Sequence, residues 1–192
     1  MEQTAGLEDD RLNLALTQSA RGDSLAFATL VQEHQGMVFS IAYHFLHDRA
    51  LAEDLAQEVF LELYQNLDHI ESSAHLTYWL RRVTANRCID HGRKKLRRRE
   101  LALEDTPEPA AHSESQINDP LLLERLQQSV AGLPEKQRMV VILRFQEGLG
   151  PAEIAEVLKM PVNTVKSTLH RSLADLRKGL TRKIREVRYA FF

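Results

Sequence analysis

The sequence predicts an all-α fold made of two small helical domains joined by a flexible linker, and three observations carry that expectation. Apolar residues recur at three- and four-residue spacing in successive windows along most of the 192 residues, the period of a helix face. Glycine and proline are sparse, 8 and 6, and the prolines sit at the boundaries of those windows. The stretch 98–119, with Pro107, Pro109, Ala110, Ala111, Ser113 and Ser115, breaks the period and has linker composition. An apolar share of 43% is enough to build a core and argues against wholesale disorder.

The elements follow in order. Residues 1–23 form an N-terminal segment with a helix over 11–20. Residues 24–97 form the first domain, with helices over 24–46, 50–66 and 76–96. Asp23 or Ser24 can cap the first of these and Asp48 the second, because a short side-chain oxygen accepts from a free N–H of the first turn. In the helix 50–66, Leu51, Ala52, Leu55, Val59 and Leu63 make the inward stripe. The polar stretch from Asn66 to His75 reads as a loop. Beyond the linker, residues 120–186 form the second domain, with helices over 120–131, 134–147, 151–159 and 163–185. A tail, 187–192, ends in Tyr189-Ala190-Phe191-Phe192, which could pack on the last helix or meet a partner.

Composition narrows the function. No apolar run approaches the ~20 residues that span a bilayer. The acidic start, Met1 to Asp10, is unlike a secretory signal. A single cysteine, Cys88, excludes an internal disulfide and fits a reducing compartment, so a cytoplasmic location is expected. The net charge of −2 hides an uneven distribution. From Arg81 to Arg99 there are nine Arg or Lys against Asp90 alone, and from Asn163 to Arg188 eight against Asp175 and Glu186. Between them, Glu100 to Glu124 holds seven acids and no base. Solvated helix faces also carry charge runs, but two basic blocks around an acidic spacer fit two nucleic-acid contact surfaces.

The segment Gly150 to Lys178 carries the clearest chemistry. Pro151 suits a first helical turn, where its missing N–H costs nothing. Ile154, Ala155 and Leu158 give the short helix an apolar face, and Met160-Pro161-Val162 breaks it, since the residue before proline disfavours helix. Asn163 or Thr164 can cap the next helix. Two helices across a tight turn make a helix-turn-helix, whose second helix can enter a major groove. At 100° per residue, Val165, Leu169, Leu173, Leu176 and Leu180 share one arc with Ser172 beside them. Asn163, Thr164, Ser167, His170, Arg171, Ala174 and Lys178 lie opposite, flanked by Lys166 and Thr168. That polar, positive face suits base edges and phosphates in duplex DNA.

The helix 76–96 offers a second constellation. Trp79, Arg82, Asn86, Ile89 and Arg93 form one stripe by spacing. An aromatic beside Arg and Asn supplies stacking, a phosphate partner and an amide, which suits unstacked bases. The alternative is that Trp79 is ordinary core. The loop Asp68 to Thr77 lies where a separated strand could be gripped. On the helix 50–66, the face opposite the inward stripe gathers Asp54, Gln57 and Leu61, flanked by Glu58, and could dock a basic partner.

These residues resemble the extracytoplasmic-function sigma factors, compact bacterial RNA polymerase specificity subunits of the sigma-70 family. The resemblance covers about 20–96 and 120–185. Its region 2 equivalent is Ala50-Leu51-Ala52-Glu53-Asp54-Leu55-Ala56-Gln57-Glu58-Val59-Phe60, then Tyr78-Trp79-Leu80 and Asn86 with Asp90 and Arg93. Its region 4 equivalent is Leu133-Pro134-Glu135-Lys136-Gln137-Arg138, Leu143-Arg144, Glu153-Ile154-Ala155 and Thr164-Val165-Lys166-Ser167. Each pattern alone is weak; their order and separation make them specific. The resemblance implies that Asp54, Gln57, Glu58 and Leu61 dock core RNA polymerase. It implies that Trp79, Arg82, Asn86 and Arg93, with Ser72 and Ser73 in the preceding loop, hold melted −10 DNA. It implies that Asn163, Thr164, Lys166, Ser167, His170, Arg171 and Lys178 read the −35 element, and that an anti-sigma factor is a further partner. No cofactor is expected. Three positions depart from the family: Asn163 stands where Gly is frequent, Thr168 where Arg is common, and Gly150-Pro151 replaces a Ser-led helix start. The change at Thr168 implies one missing phosphate contact.

Rival readings are weaker. A stand-alone helix-turn-helix regulator would need neither Trp79 nor the acidic docking face. An enzyme would have to rest on His44 with His47, or Cys88 with His91, each only two ligands of a metal site. No phosphate-binding glycine loop or nucleophile elbow is present, and the histidines read as surface or capping residues. An interaction-only scaffold leaves two separated basic surfaces unexplained. The expected activity is therefore recognition without catalysis.

Overall fold

The computed structural model describes residues 2–102 and 120–190, and the regular elements among them are helical. Before the linker stand α1 (Glu2–Ala20), α2 (Ser24–Leu46), α3 (Arg49–Gln65) and α4 (Ser73–Ala102), with a 3-10 turn at Leu67–His69. After it come α5 (Pro120–Ala131), α6 (Glu135–Phe145), α7 (Pro151–Leu158) and α8 (Val162–Ala190). Residues 103–119 of the expected linker, and Phe191 and Phe192 of the tail, lie outside the described residues, as does the side chain of Leu180.

Capping explains most boundaries. The Asp23 carboxylate accepts from the N–H groups of Leu25 and Ala26 at 2.9 and 3.2 Å, so Asp23, not Ser24, starts α2. Asp48 accepts from Leu51 N–H at 3.0 Å and starts α3. His47 ends α2 in the left-handed region at φ 54°, its N–H donating to the Tyr43 carbonyl. Lys159 does the same for α7 at φ 48°, and Met160 N–H reaches back to Ala155 at 2.9 Å. Three expectations need correction. Helix α8 begins at Val162, with the N–H groups of Thr164 and Val165 on the Pro161 carbonyl, so neither Asn163 nor Thr164 is its cap. Helix α1 starts at Glu2 rather than 11, through residues that favour helix and acids that favour a helix start. Helix α4 runs over 73–102 rather than 76–96, since Arg, Lys and Leu propagate helix and the first proline after it is Pro107.

The inward stripes meet as their period requires. Leu30, Val38, Ile41 and Phe45 of α2 pack with Ala52, Val59 and Leu63 of α3 and with Leu76, Leu80 and Cys88 of α4, all fully buried. Leu12, Ala15 and Leu16 of α1 cover one side. His34 is also inside, a correction to its reading as a surface or capping residue. Its ring bonds the Leu30 carbonyl at 2.9 Å and the Thr77 hydroxyl at 3.3 Å, which satisfies both nitrogens.

In the second half, Met139, Val140 and Leu143 of α6, Ile154 of α7 and Val165 of α8 are fully buried. A satellite of Leu133, Val141 and Leu176 joins α8 to α6. The two halves are docked on each other and share one continuous apolar core, with α6 and α7 on α4 and α6 also on α2. Among the described residues, polar ties across this junction include those of Arg138, Arg81 and Tyr78. Arg138 donates to the Phe45 carbonyl at 3.1 Å and lies over the Phe45 ring at 4.9 Å. Arg81 pairs with Glu147 at 3.2 Å, and the Tyr78 hydroxyl donates to the Glu156 carbonyl at 2.9 Å. Gly92 makes the approach possible: a Cβ there would stand 2.9 Å from the Glu135 side chain and 3.4 Å from the Phe45 ring.

Candidate nucleic-acid interface

Helix α7, the turn at 159–161 and α8 form the helix-turn-helix. Ile154, Ala155 and Val157 of α7 share the buried core with Val165 of α8, and the packing of the two helices sets their angle. With that face inward, Asn163, Thr164, Lys166, Ser167, His170, Arg171 and Lys178 are all exposed along one side of α8. The start of α7 is held by Glu153, whose carboxylate accepts the Gly150 N–H at 2.7 Å. Glycine has no side chain to complete the reciprocal half of that cap. Arg171 folds back on its own helix, donating to the Ser167 carbonyl at 3.3 Å, while the Ser167 hydroxyl donates to Thr164 at 3.0 Å. Thr168 and Ser172 turn inward, with Ser172 donating to the Thr168 carbonyl at 2.8 Å. The position where the family carries Arg therefore faces the core here.

The stripe on α4 divides. Ile89 is buried, Trp79 is half-buried against the core, and Arg82 is half-buried. Asn86 and Arg93 are exposed, Arg93 within 3.5 Å of Asp90. The segment before it is shorter than expected. The 3-10 turn and the start of α4 reduce the open stretch to 70–72, because the Ser72 hydroxyl caps α4 by accepting from His75 N–H at 3.2 Å. Ser73 is buried at 5% exposure and its hydroxyl donates to Asp9 at 3.0 Å, so a side chain expected to face a strand is engaged elsewhere.

Between α3 and α4 lies a groove of about 530 Å3, walled by Asp54, Glu58, Glu62, Asn86, Arg87 and Asp90. It brings Asp54 and Glu58, expected to meet polymerase, beside Asn86, expected to meet DNA. Gln57 and Leu61 are exposed on α3, Leu61 at 60%. Sequence reading missed Arg87, which reaches across the groove to Glu58 at 2.5 Å and to Glu62 at 2.5 and 2.9 Å. Its partners lie 25 and 29 residues away, on another helix, so no local pattern announces it. Among the described residues no three His, Cys, Asp or Glu gather as metal ligands, and no helix is long and apolar enough to cross a membrane.

Residues 30–98 match the family Sigma-70 region 2, and residues 123–176 match Sigma-70, region 4. The sequence is 34% identical over 176 residues to the ECF RNA polymerase sigma factor SigW of Bacillus subtilis, covering 86% of this chain and 94% of that one. The chain belongs to the extracytoplasmic-function sigma factors of the sigma-70 family. The RNA polymerase sigma-H factor of Pseudomonas aeruginosa is 31% identical, covering 86% of this chain and 92% of that protein. Two solved structures share the fold. The sigma factor RpoE of Bartonella quintana, solved with the anti-sigma factor NepR, has a TM-score of 0.67 at 22% identity, covering 81% of this chain and 96% of that one. CnrH, solved with the cytosolic domain of CnrY, has a TM-score of 0.65 at 23% identity, covering 90% and 98%. As a sigma factor the chain directs RNA polymerase to promoters, and its two matched regions account for binding to core polymerase and to promoter DNA. Sigma factors are regulatory proteins.

Proposed function

We propose a division of labour among named side chains. The exposed face of α8, with Asn163, Thr164, Lys166, Ser167, His170, Arg171 and Lys178, reads the −35 element as duplex in the major groove. The start of α4, with Ser72, Trp79, Arg82, Asn86 and Arg93, holds the melted non-template strand of the −10 element, through stacking and phosphate contacts. Ser73 serves it from inside the fold, by holding the first turn. Asp54, Gln57, Glu58 and Leu61 dock core polymerase, with acids flanking one exposed apolar contact. The units are 24–97 for polymerase and the −10 element, 98–119 as linker and 120–186 for the −35 element. The acidic linker threads a basic channel of the polymerase, a role argued from its charge and its position between the two units.

The observation that carries this reading is the uniform exposure of the seven polar and basic positions on α8 above an apolar face that is turned inward. The protein works without catalysis, in the cytoplasm. An anti-sigma factor is its regulatory partner, a reading supported by the fold relative RpoE of Bartonella quintana, solved with the anti-sigma factor NepR. The test is saturable binding to purified bacterial core polymerase, followed by transcription from a randomised promoter pool. A two-part consensus among the transcripts is the expected result. Duplex binding by the chain alone, with no affinity for polymerase, would replace this reading with a stand-alone regulator.

A further inference from the structure

Helix α1 precedes the residues matched to region 2, which begin at 30, and the division of labour above gives it no task. Its contacts supply one. A helix start leaves N–H groups without partners, and at α4 they are met from two directions. Ser72 accepts from His75 N–H, one turn on, and the His75 ring accepts the Glu71 N–H at 3.3 Å. The N–H of Ser73 is accepted instead by the Asn13 side chain at 2.8 Å, from 60 residues away. The Ser73 hydroxyl donates to Asp9, one turn earlier on α1. Helix α1 can serve as an anchor because Leu12, Ala15 and Leu16 are buried in the core, and it packs on both α4 and the 3-10 turn.

We infer that α1 braces the strand-capturing end of α4, and that Asn13, assisted by Asp9, is a positioning residue for promoter opening. Asn13 touches no DNA. It fixes the first turn of α4, and with it the segment 70–72 and the direction from which Trp79 and Arg82 face an incoming strand. The amide oxygen of Asn13 is an acceptor that Asp can replace and Ala cannot.

This inference rests on the −10 reading proposed above, and the experiment separates the two. Full-length chain is assembled with core polymerase and offered two probes taken from the selected promoter pool. One is the single-stranded non-template −10 oligonucleotide, the other the −35 duplex. Asn13→Ala should weaken single-strand binding roughly fivefold, with −35 binding and core affinity within about twofold of wild type. Permanganate reactivity of thymines in the opened promoter should fall in step, and Asn13→Asp should restore both. Strand binding unchanged in Asn13→Ala overturns the inference. So does a loss spread equally over strand, duplex and polymerase binding, the mark of a merely structural role. A wild-type holoenzyme that holds no single strand removes the −10 reading itself, and the inference with it.

Discussion

Cys88 and His47 show how burial sets the chemistry of single side chains. Cys88 is fully buried on α4, and burial pushes its thiol from 9.0 up to about 12. The thiol stays protonated at neutral pH and is unreactive, since the thiolate is the nucleophile. Iodoacetamide at pH 8 should label Cys88 only after denaturation; labelling of the native protein at the rate of a free thiol would contradict this burial. Because the unfolded thiol ionises first, stability should decline as pH rises from 9 towards 12. His47 behaves in the opposite sense. Burial, then the charges of Arg138 and His44, lower it from 6.5 to about 4, and its Nε2 has no hydrogen-bond partner. The folded protein holds His47 neutral while the unfolded chain protonates it. Its contribution is therefore present above pH 6.5 and lost as pH falls towards 4. His47→Asn, which keeps a side chain tolerant of the left-handed backbone, should flatten that part of the pH dependence in thermal melts.

Among the elements, α8 offers the sharpest test. Lys166→Ala and Arg171→Ala should weaken −35 duplex binding by the holoenzyme without lowering the melting temperature. A residue that contacts a phosphate should also reduce the salt slope by about 1 on substitution. A loss confined to one base position would instead mark direct readout. This helix was legible in advance because Pro161 and the spacing of Val165, Leu169, Leu173 and Leu176 are local signals, and the structure turns the same face inward. Capping by Asp23 and Asp48 was legible for the same reason. What stayed hidden depends on distant partners. Nothing near Ser73 announces that Asn13 will accept its N–H, and nothing near His34 announces Thr77. A polar stretch reads as loop when its caps come from elsewhere, and a histidine reads as surface when its acceptors are a backbone carbonyl and a distant hydroxyl. The docking of the two halves was equally hidden, since Arg81 and Arg138 find their partners 66 and 93 residues away.

At the scale of the whole molecule, the docked arrangement and the promoter have different lengths. On the roles proposed above, α8 and the start of α4 meet two separate promoter elements at once, and each ten base pairs between those elements adds about 34 Å along the duplex. A compact chain of 192 residues has a radius of gyration near 16 Å, so on those roles elements two or more helical turns apart are out of reach of α8 and the start of α4 while the halves are docked. The 17 residues 103–119 can extend to at most about 60 Å, which lets the halves part without breaking the chain. Arg81→Ala removes the charged tie to Glu147 and should shift the docked-to-open ratio roughly tenfold, about 1.5 kcal/mol. Small-angle scattering should report a larger radius of gyration for this variant, and an unchanged one would show that the apolar core alone holds the halves. A wedge at Gly92, such as Gly92→Leu, should have the same effect by pushing the Glu135 side chain and the Phe45 ring away.

The hold of Arg138 on the Phe45 carbonyl then has a consequence for dosage. Observed affinity is intrinsic affinity scaled by the fraction of molecules already competent to bind. On the roles proposed above, each additional tie between the halves lowers the fraction of molecules able to span both promoter elements, and so raises the concentration at which target promoters are half filled.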